Sequence, residues 1–203
     1  MANEIEDNPC DTDGAAHDFH LTLERILDAS PEKVFKAYTD PAILSQWFAP
    51  KPWSITDAIV EPHAGGRFNF TMHGPNGEVF PSSGVFLEVV PNRRLISTDA
   101  LTPDWKPSGQ PFMVARIEME PTADGKTKYT ATASHWNEAT LKQHEQMGFH
   151  EGWGTVADQL AELVKTLWGR NDRRSRSPRP SDPEDAAYVR RASAAGLAGL
   201  DPA

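Results

Sequence analysis

The sequence predicts an α+β domain. A curved antiparallel sheet of about six or seven strands wraps around a long C-terminal helix, and two short helices follow the first strand. Three observations predict it. First, residues 137–168 end in an apolar stripe of Phe149, Trp153, Val156, Leu160, Leu163 and Leu167. Those positions step by four and three, as on one face of an α-helix. Second, residues 53–136 switch to a period of two, broken by Gly, Pro and Asn turns, as successive antiparallel strands do. Third, DASPEKVFKAYTDPAILSQWF, with two capped Pro starts, separates the first strand from the rest.

Taken in order, Phe19, Leu21 and Leu23 alternate with His20, Thr22 and Glu24, which makes 18–27 a half-buried strand. Ser30 is placed to cap a helix with Pro31 at its first position and Val34, Phe35 and Tyr38 inward. Asp40-Pro41 starts a second, with Ile43, Leu44 and Trp47 inward, and Pro50 and Pro52 prevent continuation. Strands are expected at 53–61, 67–73, 78–90, 95–101, 112–120 and 127–136. Turns fall at His63-Ala64-Gly65-Gly66, Pro75-Asn76-Gly77, Pro91-Asn92 and Asp124-Gly125. The 78–90 strand has a candidate interruption at Pro81-Ser82-Ser83-Gly84, and residues 102–110 form a loop holding Trp105. Asn137 can cap the last helix, which would run roughly 45 Å at about 1.5 Å per residue if unbroken. Gly148, Gly152 and Gly154 each cost about 1 kcal/mol relative to Ala there. They predict either a break near Gly148 or a close approach of backbone to a strand or ligand.

Composition bounds the function. The chain has 203 residues, 38% of them hydrophobic, and a mean hydropathy of −0.54, low for a chain that is globular throughout. Residues 1–17 carry five acids and no Lys or Arg, and are expected to be a disordered acidic arm. Residues 18–168 form the domain, with a net charge of −6. Residues 169–203, rich in Arg, Ser and Pro with a net charge of +2, are expected to be a disordered tail. Within it Arg173, Arg174, Arg176 and Arg179 cluster, and Ala186–Leu200 could form a weak helix. An acidic body argues against nucleic acid as partner. No run of 18 apolar residues occurs, and the N-terminal stretch lacks an apolar signal core, so neither membrane nor secretion is expected. Cys10 is the only cysteine, consistent with a reducing cytoplasm.

Two constellations carry candidate chemistry. His144-Glu145 and His150-Glu151 invite a zinc reading, but a metalloprotease helix spaces its ligands by four and these histidines are six apart. They read instead as polar groups on the wet side or mouth of the helix, with no metal and no cofactor. The aromatics of converging elements suit an apolar hollow between sheet and helix, although each alone would serve equally as core. Its expected wall is Trp47, Phe68, Phe70, Met72, Phe112, His135, Phe149 and Trp153. Polar groups depend on register. If Leu95 points inward, Ser97 and Asp99 do too; if Ile96 does, they face water, and the pattern leaves both open. Tyr129, Ala131, Ala133 and His135 share one strand face, where small side chains would leave room. His135, and His144 beside the hollow, could orient a polar ligand head, and His135 could act as acid or base.

The ordered set DASPEKVFKAYTDPAILSQWFAP, HAGGRFNF, HGPNGEVF, GVFLEVVPNRRL, DGKTKYTAT and GFHEGWGTVADQL resembles the START-like (SRPBCC, helix-grip) superfamily. Within it, the chain is most similar to bacterial relatives of the C-terminal domain of the activator of the 90-kDa heat-shock protein ATPase. The resemblance spans about residues 18–168. It implies a cavity for a small hydrophobic molecule, with turnover left open. It also implies two alternatives: a chaperone-assisting interaction module, or a cyclase- or hydrolase-type enzyme of the superfamily. An interaction module would show an apolar patch on the outer sheet face. The outward sets Arg67, Asn69, Thr71 and Arg116, Glu118, Glu120 are polar, which favours the cavity over a chaperone contact. Catalytic residues are not identified, and a homodimer stays open.

Overall fold

The computed structural model describes residues 19–109 and 111–167. The acidic arm, the Arg/Ser/Pro tail and the side chain of Leu167 lie outside the described residues. The architecture is α+β, of helix-grip type. Strand β1 (His20–Leu27) leads into helices α1 (Pro31–Thr39) and α2 (Pro41–Leu44). Strands β2 (Ser54–Val60), β3 (Phe68–His73), β4 (Val79–Ser82), β5 (Val85–Val90) and β6 (Arg94–Thr98) follow. Then come the short β7 (Leu101–Thr102) and β8 (Lys106–Pro107), the long β9 (Val114–Pro121) and β10 (Thr127–Ser134), and helices α3 (Glu138–Gln146) and α4 (Phe149–Leu167).

All pairings are antiparallel. The single expected sheet is divided. Five strands run in the order β1-β10-β9-β6-β5, three in the order β2-β3-β4, and β7 pairs with β8 inside the 102–110 segment read as a loop. Gly84 interrupts 78–90 as the sequence suggested, and there the two larger sheets meet. An isolated bridge joins Arg67 to Val85, and the amides of Phe68 and Phe86 donate to the carbonyls of Gly84 and Gly66 at 3.0 and 2.9 Å. A Cβ on Gly84 would lie 2.6 Å from the Thr98 carbonyl oxygen, so only glycine fits the seam.

The expected 95–101 strand ends early at Thr98 for a physical reason. Asp99 turns its carboxylate back, and Oδ1 accepts from the amides of Phe112 and Met113 at 2.8 and 3.1 Å. Those amides are thereby withdrawn from the ladder, so β9 begins only at Val114.

Asp40 caps α2, accepting from the Ala42 amide at 3.0 Å; Ser30 precedes α1 without a side-chain cap bond. Asn137 caps α3 through the Thr140 amide at 2.9 Å. The helix then breaks at Met147–Gly148, where Gly148 takes a φ of +85°, the left-handed conformation that glycine adopts without penalty. After the break the buried face of α4 is Phe149, Ala157, Leu160 and Val164, with Trp153 and Val156 half-buried. Leu163, expected on the stripe, is only half-buried and borders a shallow groove with Gln46 and Lys51. Ala157, 1% exposed, and Val164 take buried places on the helix instead. Two polar ties fix α4. Arg25 Nε donates to Asp158 at 3.1 Å, and the Gln159 amide donates to the carbonyls of Trp47 and Ala49 while accepting from the Lys51 amide. Among the described residues, no helix is long and apolar enough to cross a membrane.

Candidate functional site

A cavity of about 400 Å³ lies between the sheets and α4. Strand β3 presents Phe68, Phe70 and Met72 to it by period two. Strand β6 presents one register to it: Leu95 is 2% exposed, and Ser97 and Asp99 join it on the wall, which decides the register left open by the pattern. From α4 come Phe149, Gly152, Trp153 and Val156. An ideal Cβ on Gly152 meets nothing within 4 Å, so this glycine leaves part of the hollow empty. The wall is stiffened by ring contacts: Phe48 lies edge-on to Phe68 and Phe70 at 5.6 and 5.1 Å, and Phe149 packs on Trp153 at 4.8 Å.

Three of the expected wall residues stand elsewhere. Trp47 is 1% exposed and belongs to the core, its Nε1 donating to the Ala37 carbonyl at 3.2 Å. Phe112 and His135 lie behind the wall. His135 Nδ1 is 3.1 Å from the Phe112 carbonyl oxygen, and its Nε2 is 3.1 Å from His144 Nδ1. The reason is position: both flank a strand end, where the chain leaves the sheet's concave face. His144, read mainly as a wet-side group, is 6% exposed and lies on the wall, between Phe149 and Trp153 at ring distances of 5.0 and 5.8 Å. Burial and the neighbouring His135 push its pKa down to about 4. His150 is exposed. Among the described residues, no three His, Cys, Asp or Glu side chains gather around a metal position.

Sequence reasoning missed one polar pair. Tyr38 on α1 and Tyr129 on β10 line the cavity with hydroxyl oxygens 2.6 Å apart. Burial raises both pKa values, that of Tyr129 to about 12, so the pair is neutral near pH 7. Each was placed inward by its own periodicity, but no local signal joins residues so distant in the chain.

The family profile described as Activator of Hsp90 ATPase homolog 1-like protein matches residues 28–165. The chain belongs to that family. Among solved structures, a Nitrosomonas europaea protein is 48% identical; the match covers 72% of this chain and 94% of that one, with a TM-score of 0.69. A Mycobacterium smegmatis protein is 23% identical over 71% of this chain and 90% of its own, with a TM-score of 0.61. The AHSA1-like protein from Aeromonas hydrophila is 23% identical over 72% and 92%, with a TM-score of 0.55. The latter two likenesses concern the fold alone. No curated protein matches the chain. In this Activator of Hsp90 ATPase homolog 1-like chain, the family match runs from the residue after β1 to near the end of α4, and every residue on the cavity wall falls inside it.

Proposed function

We propose that the protein binds a small hydrophobic molecule in the cavity between sheet and α4. The observation that carries this reading is the hollow itself: about 400 Å³, walled largely by Phe48, Phe68, Phe70, Phe86, Phe149 and Trp153. A packed core leaves few voids larger than a water molecule, whereas small-molecule sites are hollows of roughly 300–1,000 Å³ with apolar walls and a few polar groups. On this reading the protein acts in the cytoplasm without cofactor or metal, and its partner is neither nucleic acid nor membrane. Conversion of the bound molecule, as in a cyclase- or hydrolase-type relative, is the enzymatic extension of the same site.

Native mass spectrometry of protein purified from its own host tests the proposal directly. A retained small molecule is expected. Gly152→Leu supplies the matched control: it fills open space and replaces a helix-interior glycine, so the melting temperature should hold or rise. The retained mass and binding of Nile red should both disappear. Undiminished dye binding by this variant would place the site elsewhere.

A second reading, the chaperone-assisting module, draws on the edge strand β4, where Val79 and Phe80 are each 55% exposed. Stimulation of the host's 90-kDa heat-shock ATPase that is lost in Phe80→Ser would put this reading first. No stimulation is expected.

A further inference from the structure

The two histidines form a relay whose direction is set at one end. The Phe112 carbonyl oxygen can only accept, so His135 Nδ1 carries a hydrogen and donates to it. In a neutral ring that leaves His135 Nε2 bare. His144 Nδ1, 3.1 Å away, must then donate to it, which in turn leaves His144 Nε2 bare. Nε2 bonds none of the described residues. Among them Ser108 Oγ is the only sealed side-chain polar atom without a partner, so Nε2 is open, and the open space beside His144 is the cavity.

A second acceptor lies on the cavity wall. Asp99 Oδ1 is occupied by two backbone amides, and Oδ2 bonds none of the described residues. The cavity is also polarised along its length. Leu95 pairs with Ile117, Ser97 with Ala115, and Asp99 reaches Met113, so the wall on the β6 side passes from apolar Leu95 to polar Ser97 and Asp99 while the β9 side stays apolar. Tyr129 lies six residues from His135 on the same chain, about 20 Å along an extended strand, so the tyrosine pair sits toward the opposite end. The exposed wall members Ser83 and Met147 belong to the β4–β5 link and the α3–α4 break, near the polar end.

Resting on the cavity reading above, we infer that His144 presents a bare Nε2 as hydrogen-bond acceptor, and that the ligand is an apolar molecule ending in a neutral O–H or N–H donor. A carboxylate head brings no hydrogen to donate to Nε2. One proton added to the histidine pair would put a hydrogen on His144 Nε2 and turn it into a donor, while His135 Nδ1 went on donating to the Phe112 carbonyl. Burial opposes that charge: the rings of His135 and His144 are 7% and 6% exposed, and the pKa of His144 lies near 4.

The test uses the full chain and three probes with one ring system: 2-naphthol, 2-methoxynaphthalene and 2-naphthoate. Calorimetric titration should show 2-naphthol binding about tenfold more tightly than the methoxy compound, the effect of one hydrogen bond to an otherwise unpaired group. The methoxy arm isolates Nε2, because it removes the donor hydrogen without adding a charge. In His144→Phe, which keeps an aromatic ring at that position, the preference for 2-naphthol should vanish while 2-methoxynaphthalene still binds. Binding of all three probes with equal strength overturns the donor inference and leaves the cavity reading standing. Binding of none, with Nile red also excluded, removes both. Should His144→Phe fail to fold, long-range nitrogen–hydrogen correlation spectra of the unaltered protein decide the tautomer. Hydrogen on Nδ1 and a bare Nε2 that shifts on adding 2-naphthol are expected. Hydrogen on His144 Nε2 near pH 7 overturns the inference.

Discussion

His144 should leave a signature in stability as well as in binding. Its ordinary pKa of 6.5 falls to about 4 in the folded protein, chiefly because burial disfavours the charged ring. Between those values the unfolded chain holds a proton that the folded chain does not. Stability is therefore complete above about pH 6.5, declines as pH falls, and declines no further from this group below about pH 4. The full shift corresponds to about 3 kcal/mol. The carboxylates act lower. Glu61, held by Arg67 from 4.5 down to about 2, loses its contribution only as pH falls through that lower range. Thermal melts between pH 6.5 and 4.5 should thus fall more steeply for the natural protein than for His144→Phe; parallel curves would show that the ring is not strained by burial. Trp153 and Leu160 make a second contrast on one helix. Leu160 is fully buried, and truncation to Ala should cost about 2–5 kcal/mol. Trp153 borders the cavity and already lacks neighbours on that side, so Trp153→Ala should cost less although it removes more atoms. Denaturant midpoints of the two variants compare them, and the opposite order would mean that Trp153 is packed rather than lining a hollow.

At the scale of elements, one amide side chain of α4 holds three backbone groups of the segment after α2. Gln159 donates at 2.7 and 2.8 Å to the Trp47 and Ala49 carbonyls and accepts from the Lys51 amide at 3.0 Å. Gln159→Leu keeps the bulk but strands three backbone groups, at a cost of about 1–3 kcal/mol for each that water cannot reach. Proteolysis at 47–52 should speed up in that variant before the melting temperature collapses. Nothing in the sequence marks Gln159, because its partners lie more than a hundred residues away and glutamine at a helix surface is ordinary. Elements with strong local signals were legible: the alternation of β1 and β3, the Asp40 and Asn137 caps, and the break at Gly148. Those set by tertiary context were not. The shift of the buried face of α4 from Leu163 to Ala157 and Val164 depends on which side of the helix meets the rest of the domain, and the early end of β6 follows from where Asp99 finds its amides. Phe68, Phe70 and Met72, aligned by period two, and Phe149 and Trp153, aligned by the helical stripe, lie on the cavity wall. Trp47, Phe112 and His135 were drawn to the wall by residue type, and their places behind it depend on how far each element extends past the sheet.

For the molecule as a whole, the front and back of the cavity belong to different sheets. Phe68, Phe70 and Met72 ride on the three-stranded sheet, while Leu95, Ala115 and Tyr129 ride on the five-stranded one. The two are stitched through a short run around Gly65–Asn69 and Gly84–Phe86, where three backbone amides reach carbonyls across the seam and the Gly84 amide reaches Asn69 Oδ1. The β9–β10 ladder, by contrast, is paired along eight consecutive positions. A clamshell with one short hinge line can change its bite without unzipping its backbone ladders, so the hollow need not have one fixed width. The amides of Gly65, Phe68 and Phe86 should then exchange with deuterium as one set, ahead of β9 and β10, and slow together when the cavity is filled. Breathing along that hinge, rather than the volume at rest, would set how large a guest the protein can admit.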